Sequence, residues 1–182
     1  MKNKIIIGFG IVAVAVIATV LLIDFEGTQE SPKDTVAVTT GDLNVSVTYG
    51  RPSVRGRVIF GTAAENALQP FGKYWRLGAN EATEITFNKD VLFSGQPVKA
   101  GSYRMYAVPD ADSFQIGLNS ELGQWGYDEP KYDKDVLKIS VPVEKLANPV
   151  EQFSISMNKI DSGVGIVMAW ANNQWTVQVD PQ

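Results

Sequence analysis

Hydrophobic and polar residues alternate along most of the chain. In "NVSVTY" (44–49) and "TEITF" (83–87), every second side chain is apolar and polar side chains fall between them. The same alternation recurs in "SFQIGL" (113–118), "VLKISVPV" (136–143), "QFSISM" (152–157) and "WTVQV" (175–179). Such a repeat is typical of β-strands that bury one face. The segment "GIVMAW" (165–170) is apolar on both faces, which predicts a more deeply buried strand.

Short turn sequences separate these segments. They are "SGQPVKAG" (94–101), "PDADS" (109–113) and "ANNQ" (171–174), and the last predicts a hairpin because Asn tolerates positive φ. Only "TAAENALQ" (62–69) predicts a helix, of about two turns. About eight to ten short strands predict an all-β fold, an antiparallel, jelly-roll-like β-sandwich. A closed β-barrel is the alternative, because sequence does not reveal closure.

The N-terminus has the features of a membrane anchor. Residues 5–23 are uncharged and apolar, and as a helix they would span about 28 Å, close to the hydrocarbon thickness of a bilayer. Lys2 and Lys4 precede this segment, whereas Asp24 and Glu26 follow it. This charge bias predicts a single-pass protein of the bacterial cell envelope, with a cytoplasmic N-terminus and a periplasmic or extracellular domain.

We therefore expect three segments: a signal anchor or transmembrane helix (1–24), a polar linker (25–40) and a β-sandwich domain (41–182). A cleaved signal peptide is the alternative, with "VIA" (16–18) as the cleavage site, and it would give a secreted protein.

Composition excludes several classes of function. The chain has no His and no Cys, which excludes zinc, blue-copper and iron–sulfur sites and removes the usual partner of a Ser or Cys nucleophile. We therefore expect no cofactor and no metal. The formal net charge is -4, and no basic stripe is present to neutralise phosphates, so we expect no binding to nucleic acid.

Three polar segments could carry chemistry, and the first is "SVRGRVIF" (53–60). If it is a strand, Arg55 and Arg57 share one face and could clamp a carboxylate or phosphate. In the alternative, both arginines are solvated or paired with carboxylates of a neighbouring strand.

The second segment is "YWRLGANEAT" (74–83), in which Gly78 predicts a turn. A binding pocket here would use an apolar wall and three polar contacts: Trp75, Arg76, Asn80 and Glu81. In the structural alternative, Arg76 pairs with Glu81, while Asn80 satisfies backbone groups in the turn.

The third segment is "GQWGYDEPKYDKD" (123–135). Trp125 and Tyr127 beside carboxylates are typical of a sugar- or peptide-binding surface, although a plain solvated loop is also compatible. A calcium site is a weaker alternative, because the spacing matches no calcium loop. Glu81 with Asp128 or Glu129 could supply the carboxylate pair of a glycosidase if the two segments meet.

Four segments together resemble one bacterial family, domain of unknown function 2911, which is abundant in Bacteroidetes. They are "YGRPSVRGRVIFG", "PFGKYWRLGANEATEITF", "AGSYRMYAVP" and "QWGYDEPKYDKDVLKI", and the resemblance extends over residues 42–157. It implies a β-rich domain exported by Gram-negative bacteria, and it implies no particular activity.

The expected function is that of a membrane-anchored, non-catalytic binding or interaction module whose ligand is a glycan, a peptide or an envelope protein. Its candidate contact residues are Arg55, Arg57, Trp75, Arg76, Asn80, Glu81, Trp125 and Tyr127. The alternatives are a carboxylate-based hydrolase of glycans or cell-envelope polymers and a purely structural envelope domain.

Overall fold

A computed structural model describes residues 31–161 and 163–182. The predicted anchor (1–24) lies outside the described residues. Within them, no helix has the length and hydropathy needed to span a membrane. The described chain forms two 3₁₀ turns, at Ala63–Glu65 and Tyr132–Lys134, and twelve strands: β1 Lys33–Thr40, β2 Leu43–Gly50, β3 Phe60–Gly61, β4 Gln69–Pro70, β5 Thr83–Phe87, β6 Val91–Phe93, β7 Gln96–Val98, β8 Gly101–Pro109, β9 Ser113–Asn119, β10 Asp135–Pro142, β11 Glu144–Ile160 and β12 Gly163–Pro181.

The strands form two open antiparallel sheets and one short parallel pair. The larger sheet has the order β1-β2-β5-β8-β9-β10, the smaller has the order β11-β12-β6-β7, and β3 pairs with β4. The all-β prediction is confirmed, and the closed-barrel alternative is wrong because β1 and β10 end the larger sheet without pairing to each other. The order also differs from a jelly roll, which has two Greek keys of eight strands in all.

Aromatic side chains join the two sheets into a sandwich. Tyr49 of β2 meets Phe153 of β11 edge to face, with ring centroids 5.5 Å apart. The Tyr49 hydroxyl also accepts a hydrogen bond of 2.9 Å from the amide of Ile155. Phe153 in turn stacks on Trp175 of β12, and the ring centroid of Trp175 lies 4.7 Å from that of Phe114 of β9. The inward-facing residues of both sheets therefore form one hydrophobic core.

The alternating segments lie in strands, as the sequence predicts, except that Val143 falls between β10 and β11. By contrast, "ANNQ" (171–174) does not form a hairpin. It continues β12, in which Ala171 takes a φ of 51° and the pairing with β11 shifts register between Val150 and Ser154. The left-handed residue therefore produces a bulge that bends the strand without reversing it. The side chain of Asn173 accepts a hydrogen bond of 2.6 Å from Lys145 of β11, which holds the strand beyond the bulge.

The predicted helix at 62–69 is wrong. Glu65 Oε2 accepts a hydrogen bond of 2.7 Å from the amide of Thr62, which starts one 3₁₀ turn. Asn66 then adopts a left-handed conformation, with φ of 53°, and ends the helix at once. The chain continues to β4, where the hydrogen bond from Gln69 N to Ile59 O (2.8 Å) replaces a second helical turn.

The first strand of the larger sheet lies inside the predicted linker. Strand β1 pairs with β2 along its full length, from Lys33 opposite Gly50 to Thr40 opposite Leu43. The compact unit accordingly begins at Ser31 rather than at residue 41.

Strand β8 supports a second layer of side chains on the outer face of the larger sheet. Tyr103, Met105 and Ala107 belong to the core between the sheets, and alternation directs Arg104 and Tyr106 to the opposite face. Both are nevertheless buried, because Tyr74 and the connection between β9 and β10 cover them. This covered outer face is where the candidate site is built.

Gly117 shows how tightly this layer is packed. It lies directly opposite Tyr106 in the pairing of β8 with β9, and a Cβ atom at Gly117 would lie 2.2 Å from Tyr106 Cζ. We expect Gly117→Ala to lower the free energy of unfolding by about 1–3 kcal/mol, because the ring has to move. The measurement is denaturant unfolding of the purified protein.

A double-mutant cycle provides the control. In a Tyr106→Ala background the clash is gone, so Gly117→Ala should be neutral or slightly stabilising, since Gly weakens a strand. An equal loss in both backgrounds would contradict the packing described here.

Candidate functional site

The second and third polar segments of the sequence meet on the outer face of the larger sheet. Glu81 and Trp125 form an antiparallel bridge. Beside it, the amide of Gly126 donates to Asn80 O (3.0 Å), and the amide of Ala82 donates to Gln124 O (3.1 Å). These bonds attach the loop after β9 to the segment that leads into β5.

A glycine makes this approach possible. A Cβ atom at Gly126 would lie 2.7 Å from Arg76 Cδ and 2.8 Å from Asn80 O, so a larger residue would push the two segments apart. The Tyr74 hydroxyl also donates to Gly126 O at 2.8 Å. The loop is therefore held on both sides of Gly126.

The same contact exposes two aromatic side chains. The chain turns over residues 125–128, with the amide of Asp128 donating to Trp125 O (3.3 Å). Trp125 keeps 55% of its surface exposed and Tyr127 keeps 74%. Because the backbone around them is fixed, these two rings are presented to solvent at a defined place.

A groove lies on each side of this turn. The first groove has a volume of about 400 Å³ and is lined by Lys33, Thr48, Tyr49, Gly50, Glu81, Ala82, Glu84, Gly123, Gln124 and Trp125. The second groove has a volume of about 550 Å³ and is lined by Leu68, Gln69, Tyr74, Trp75, Arg76, Tyr127, Asp128 and Glu129. Trp125 thus belongs to the first groove and Tyr127 to the second.

Trp75 is mainly a core residue. Only 2% of its surface is exposed, and its ring stacks on Trp170 with centroids 5.5 Å apart. Its indole nitrogen donates to Gly78 O at 3.2 Å, which fixes the turn predicted at this glycine. Trp75 therefore lines the second groove only as a core residue and cannot serve as an open stacking platform.

The predicted pairing of Arg76 with Glu81 is wrong. Glu81 lies 3.5 Å from the ammonium group of Lys33, and both residues line the first groove. Arg76 donates to Asn80 O (3.2 Å) and covers the Tyr127 ring at 5.8 Å from its centroid. Arg76 and Glu81 therefore line different grooves and do not pair with each other.

The Asn80 side chain hydrogen-bonds a backbone group, as expected, but this group lies before β1 and not in the turn at Gly78. Its side-chain amide donates to Ser31 O (3.2 Å), and its own φ of 63° places it in the left-handed region. Asn tolerates this conformation better than most residues. Asn80 therefore fixes the chain just before β1.

Arg55 and Arg57 do not form the predicted clamp. The segment around them is a turn, in which Arg55 has φ of 50° and Gly56 has φ of 68°, so strand alternation does not apply. The guanidinium of Arg57 donates to Ser53 O (2.6 Å) and Val54 O (3.1 Å). Neither arginine lines either of the two grooves.

The carboxylates predicted for a glycosidase are also divided between the grooves. Glu81 lines the first groove, whereas Asp128 and Glu129 line the second. The hydrolase alternative therefore loses the shared cleft on which it depends. Over residues 31–161 and 163–182, no group of three or more acidic side chains is arranged to hold a metal ion.

Sequence reasoning missed Arg104, which lies beneath the second groove. It is 1% exposed, and its guanidinium donates to the Tyr74 hydroxyl and to the backbone oxygen of Asp128. An Arg on the outward face of a strand normally points to solvent, so alternation alone gives no signal here. Only the loop that covers β8 reveals that it is buried.

Three tyrosine hydroxyls surround this buried layer. Burial raises the pKa of Tyr74 above its ordinary value, although the donation from Arg104 acts in the opposite direction. Burial and the acceptors Asp135 (2.7 Å) and Glu129 (2.6 Å) raise the pKa values of Tyr106 and Tyr132, respectively. All three hydroxyls therefore stay protonated at neutral pH and act as hydrogen-bond donors.

The far end of the loop is held by Glu121. It accepts a hydrogen bond from the amide of Lys131 (3.0 Å) and lies 3.4 Å and 3.2 Å from the ammonium groups of Lys131 and Lys134. The amide contact first, and then the two lysines, lower the pKa of Glu121 to about 2.

Comparison with known proteins identifies the family. The model of the family described as "Protein of unknown function (DUF2911)" matches residues 31–179, which include both grooves and the whole buried layer. The chain belongs to this family. Its two grooves and the exposed aromatic turn are accordingly features of a DUF2911 domain.

One curated relative is a glutamyl-tRNA(Gln) amidotransferase subunit from Streptococcus uberis (strain ATCC BAA-854 / 0140J). It is 26% identical over 133 residues, which cover 73% of this chain and 27% of the relative. This chain therefore spans about a quarter of that relative's length. No solved structure matches the chain.

Because the pKa of Glu121 is lowered on folding, its contribution to stability depends on pH. The unfolded chain binds the proton at about its ordinary pKa of 4.5, so the stabilisation is complete above that pH and is lost as the pH falls towards 2. We expect Glu121→Gln to make unfolding less dependent on pH in this range. The measurement is the midpoint of thermal unfolding as a function of pH.

Glu144→Gln, at an exposed carboxylate of β11, is the matched control for the change in charge. If Glu121→Gln and Glu144→Gln showed the same pH dependence, the described contacts of Glu121 would not stabilise the loop.

Proposed function

We propose that this chain is a non-catalytic binding module for polysaccharides of the bacterial cell envelope. The observation that carries the proposal is the exposure of Trp125 and Tyr127 on a turn whose backbone is fixed by Asn80 and Tyr74. Exposed, rigidly held aromatic rings favour a ligand with flat apolar faces.

Sugar rings have such faces, formed by C–H groups, and they also carry hydroxyls that require hydrogen-bond partners. Both grooves offer these partners beside an aromatic ring. Glu84 and Gln124 accompany Trp125 in the first groove, and Gln69 and Asp128 accompany Tyr127 in the second. An extended polysaccharide could contact both rings by crossing the turn between them.

The arrangement supports binding better than hydrolysis. A glycosidase needs two carboxylates facing one bond, with separations of about 5–9 Å. Here the predicted pair is split between two grooves. The absence of His from the chain removes the commonest general base as well.

In this proposal, the apolar segment 5–23 determines the cellular location of the protein. It would anchor the chain in the membrane with its N-terminus in the cytoplasm and the β-domain in the periplasm or outside the cell. A polysaccharide-binding domain held in this way would attach the membrane to an envelope polymer.

We expect Trp125→Ala and Tyr127→Ala each to weaken polysaccharide binding at least tenfold, about 1.4 kcal/mol, because each removes one stacking surface. The measurement is affinity electrophoresis against a panel of soluble polysaccharides, followed by calorimetry with those that retard the protein. Both rings are exposed, so the midpoint of thermal unfolding should barely change.

Val136→Ala is the matched control, because Val136 is an exposed apolar residue of β10 outside both grooves. The proposal would be contradicted if a variant lacking both rings were retarded as strongly as the wild type. It would also be contradicted if the wild type bound none of the polysaccharides tested.

The location can be tested with a single cysteine, because the chain contains none. Thr176→Cys places a thiol at an exposed position of β12. We expect a membrane-impermeant maleimide to label it in cells whose outer membrane has been permeabilised, and the protein to retain residues 1–24. Labelling only after lysis would contradict the topology, and a secreted chain without these residues would support the cleaved alternative.

A further inference from the structure

Within residues 31–161 and 163–182, the buried guanidinium of Arg104 has no carboxylate partner. Among the described residues, no carboxylate oxygen lies within 4.0 Å of it, and its Nε has no hydrogen-bond partner. With 1% of its surface exposed, Arg104 is almost entirely removed from water. An unpaired buried charge is costly, so stable folds normally pair it.

Nearby acids are engaged elsewhere. Glu84 lies directly opposite Arg104 in the pairing of β5 with β8, but its carboxylate accepts a hydrogen bond of 2.8 Å from the amide of Gly123. Asp135, on the other side, accepts from Tyr106 (2.7 Å) and lies 3.0 Å from Lys138. Neither acid therefore serves as the direct counter-ion of Arg104.

The hydrogen bonds that Arg104 does make lead to the second groove. They end on the Tyr74 hydroxyl and on the Asp128 carbonyl, and both residues line that groove. Arg76 adds a second guanidinium to the same groove, and it too has no carboxylate within 4.0 Å in the part of the chain that is described. One guanidinium, that of Arg76, thus lines the groove, and a second, that of Arg104, is hydrogen-bonded to two of its lining residues.

Two acids of the groove limit what it can bind. Asp128 and Glu129 also line it. Their two negative charges balance the two positive charges of Arg76 and the buried Arg104. A small free anion therefore gains little from net electrostatic attraction. Glu129 accepts from the Tyr132 hydroxyl at 2.6 Å, so one of its oxygens faces the loop. A suitable ligand has to combine an apolar face for Tyr127 with an anionic group placed beside Arg76.

Resting on the function proposed above, we infer that the second groove selects polysaccharides built from uronic acids. The sugar ring stacks on the face of Tyr127 that Arg76 does not cover, and its carboxylate reaches past the edge of the ring to the Arg76 guanidinium, whose planar donors match a carboxylate in a bidentate fashion. Arg104 is a positioning residue that orients Tyr74 and Asp128 from below and adds positive potential to the site.

The test compares a linear polyuronate with its fully methyl-esterified form, using the full-length protein in detergent micelles. The two polymers share one backbone and differ in the charge of the carboxyl group. Calorimetry should show the acid binding about tenfold more tightly than the ester at low salt, about 1.4 kcal/mol. The difference should shrink as salt is added, because the ion pair is only partly buried.

Two variants identify the residue responsible. Arg76→Gln should remove the preference for the acid and retain binding of the ester, which depends on Tyr127. Lys99→Gln removes the same charge from an exposed side chain paired with Asp90, outside both grooves, and should retain the preference. Equal loss of the preference in both variants would indicate a general effect of charge and would overturn the inference.

The remaining outcomes separate this inference from the proposed function. Equal affinity for the acid and the ester overturns acidic selectivity and leaves polysaccharide binding intact. Binding to polyglutamate as tightly as to the polyuronate overturns the assignment to a sugar. Binding to neither polymer, when a neutral polysaccharide binds, overturns the inference alone, and the absence of binding to any polysaccharide overturns both.

Discussion

The candidate site depends on the close approach of the loop after β9 to the segment that leads into β5. At Gly126 the two backbones pass so closely that no Cβ atom fits between Arg76 and Asn80. The hydrogen bond from Gly126 N to Asn80 O closes this contact. Without it, Trp125 and Tyr127 would not be presented at fixed positions, and neither groove would keep its shape. The same contact covers Arg104 and so produces the buried charge.

The larger sheet thus carries two different layers. Its inner face packs against the smaller sheet through aromatic residues such as Tyr49 and Phe114. Its outer face carries Arg104, Tyr106 and their hydrogen-bonding partners, sealed by the loop. The inner layer is apolar and stabilises the fold by burial. The outer layer is polar, and its hydrogen bonds give directional control over the loop that forms the site.

Alternation along the chain was enough to predict the strands, because a one-sided buried strand imposes a period of two. It failed where a single residue leaves that conformation. Ala171 takes a left-handed φ inside β12, and Arg55 takes one in the turn that carries Arg57. Asn66 ends the helix predicted from the surrounding residues in the same way. These are local changes of backbone angle in residues other than glycine, and the sequence pattern gives little warning of them.

By itself, the sequence determined the all-β class, the absence of His and Cys, and the family. It named Glu81 and Trp125 as candidates in separate segments, and the structure pairs those segments. Only the tertiary structure decided that Arg76 and Glu81 face different grooves, that Trp75 belongs to the core, and that an outward-facing arginine of β8 is buried. The physical reason is that periodicity records which face of a strand a side chain occupies. Whether a distant loop covers that face depends on contacts between segments far apart in the chain.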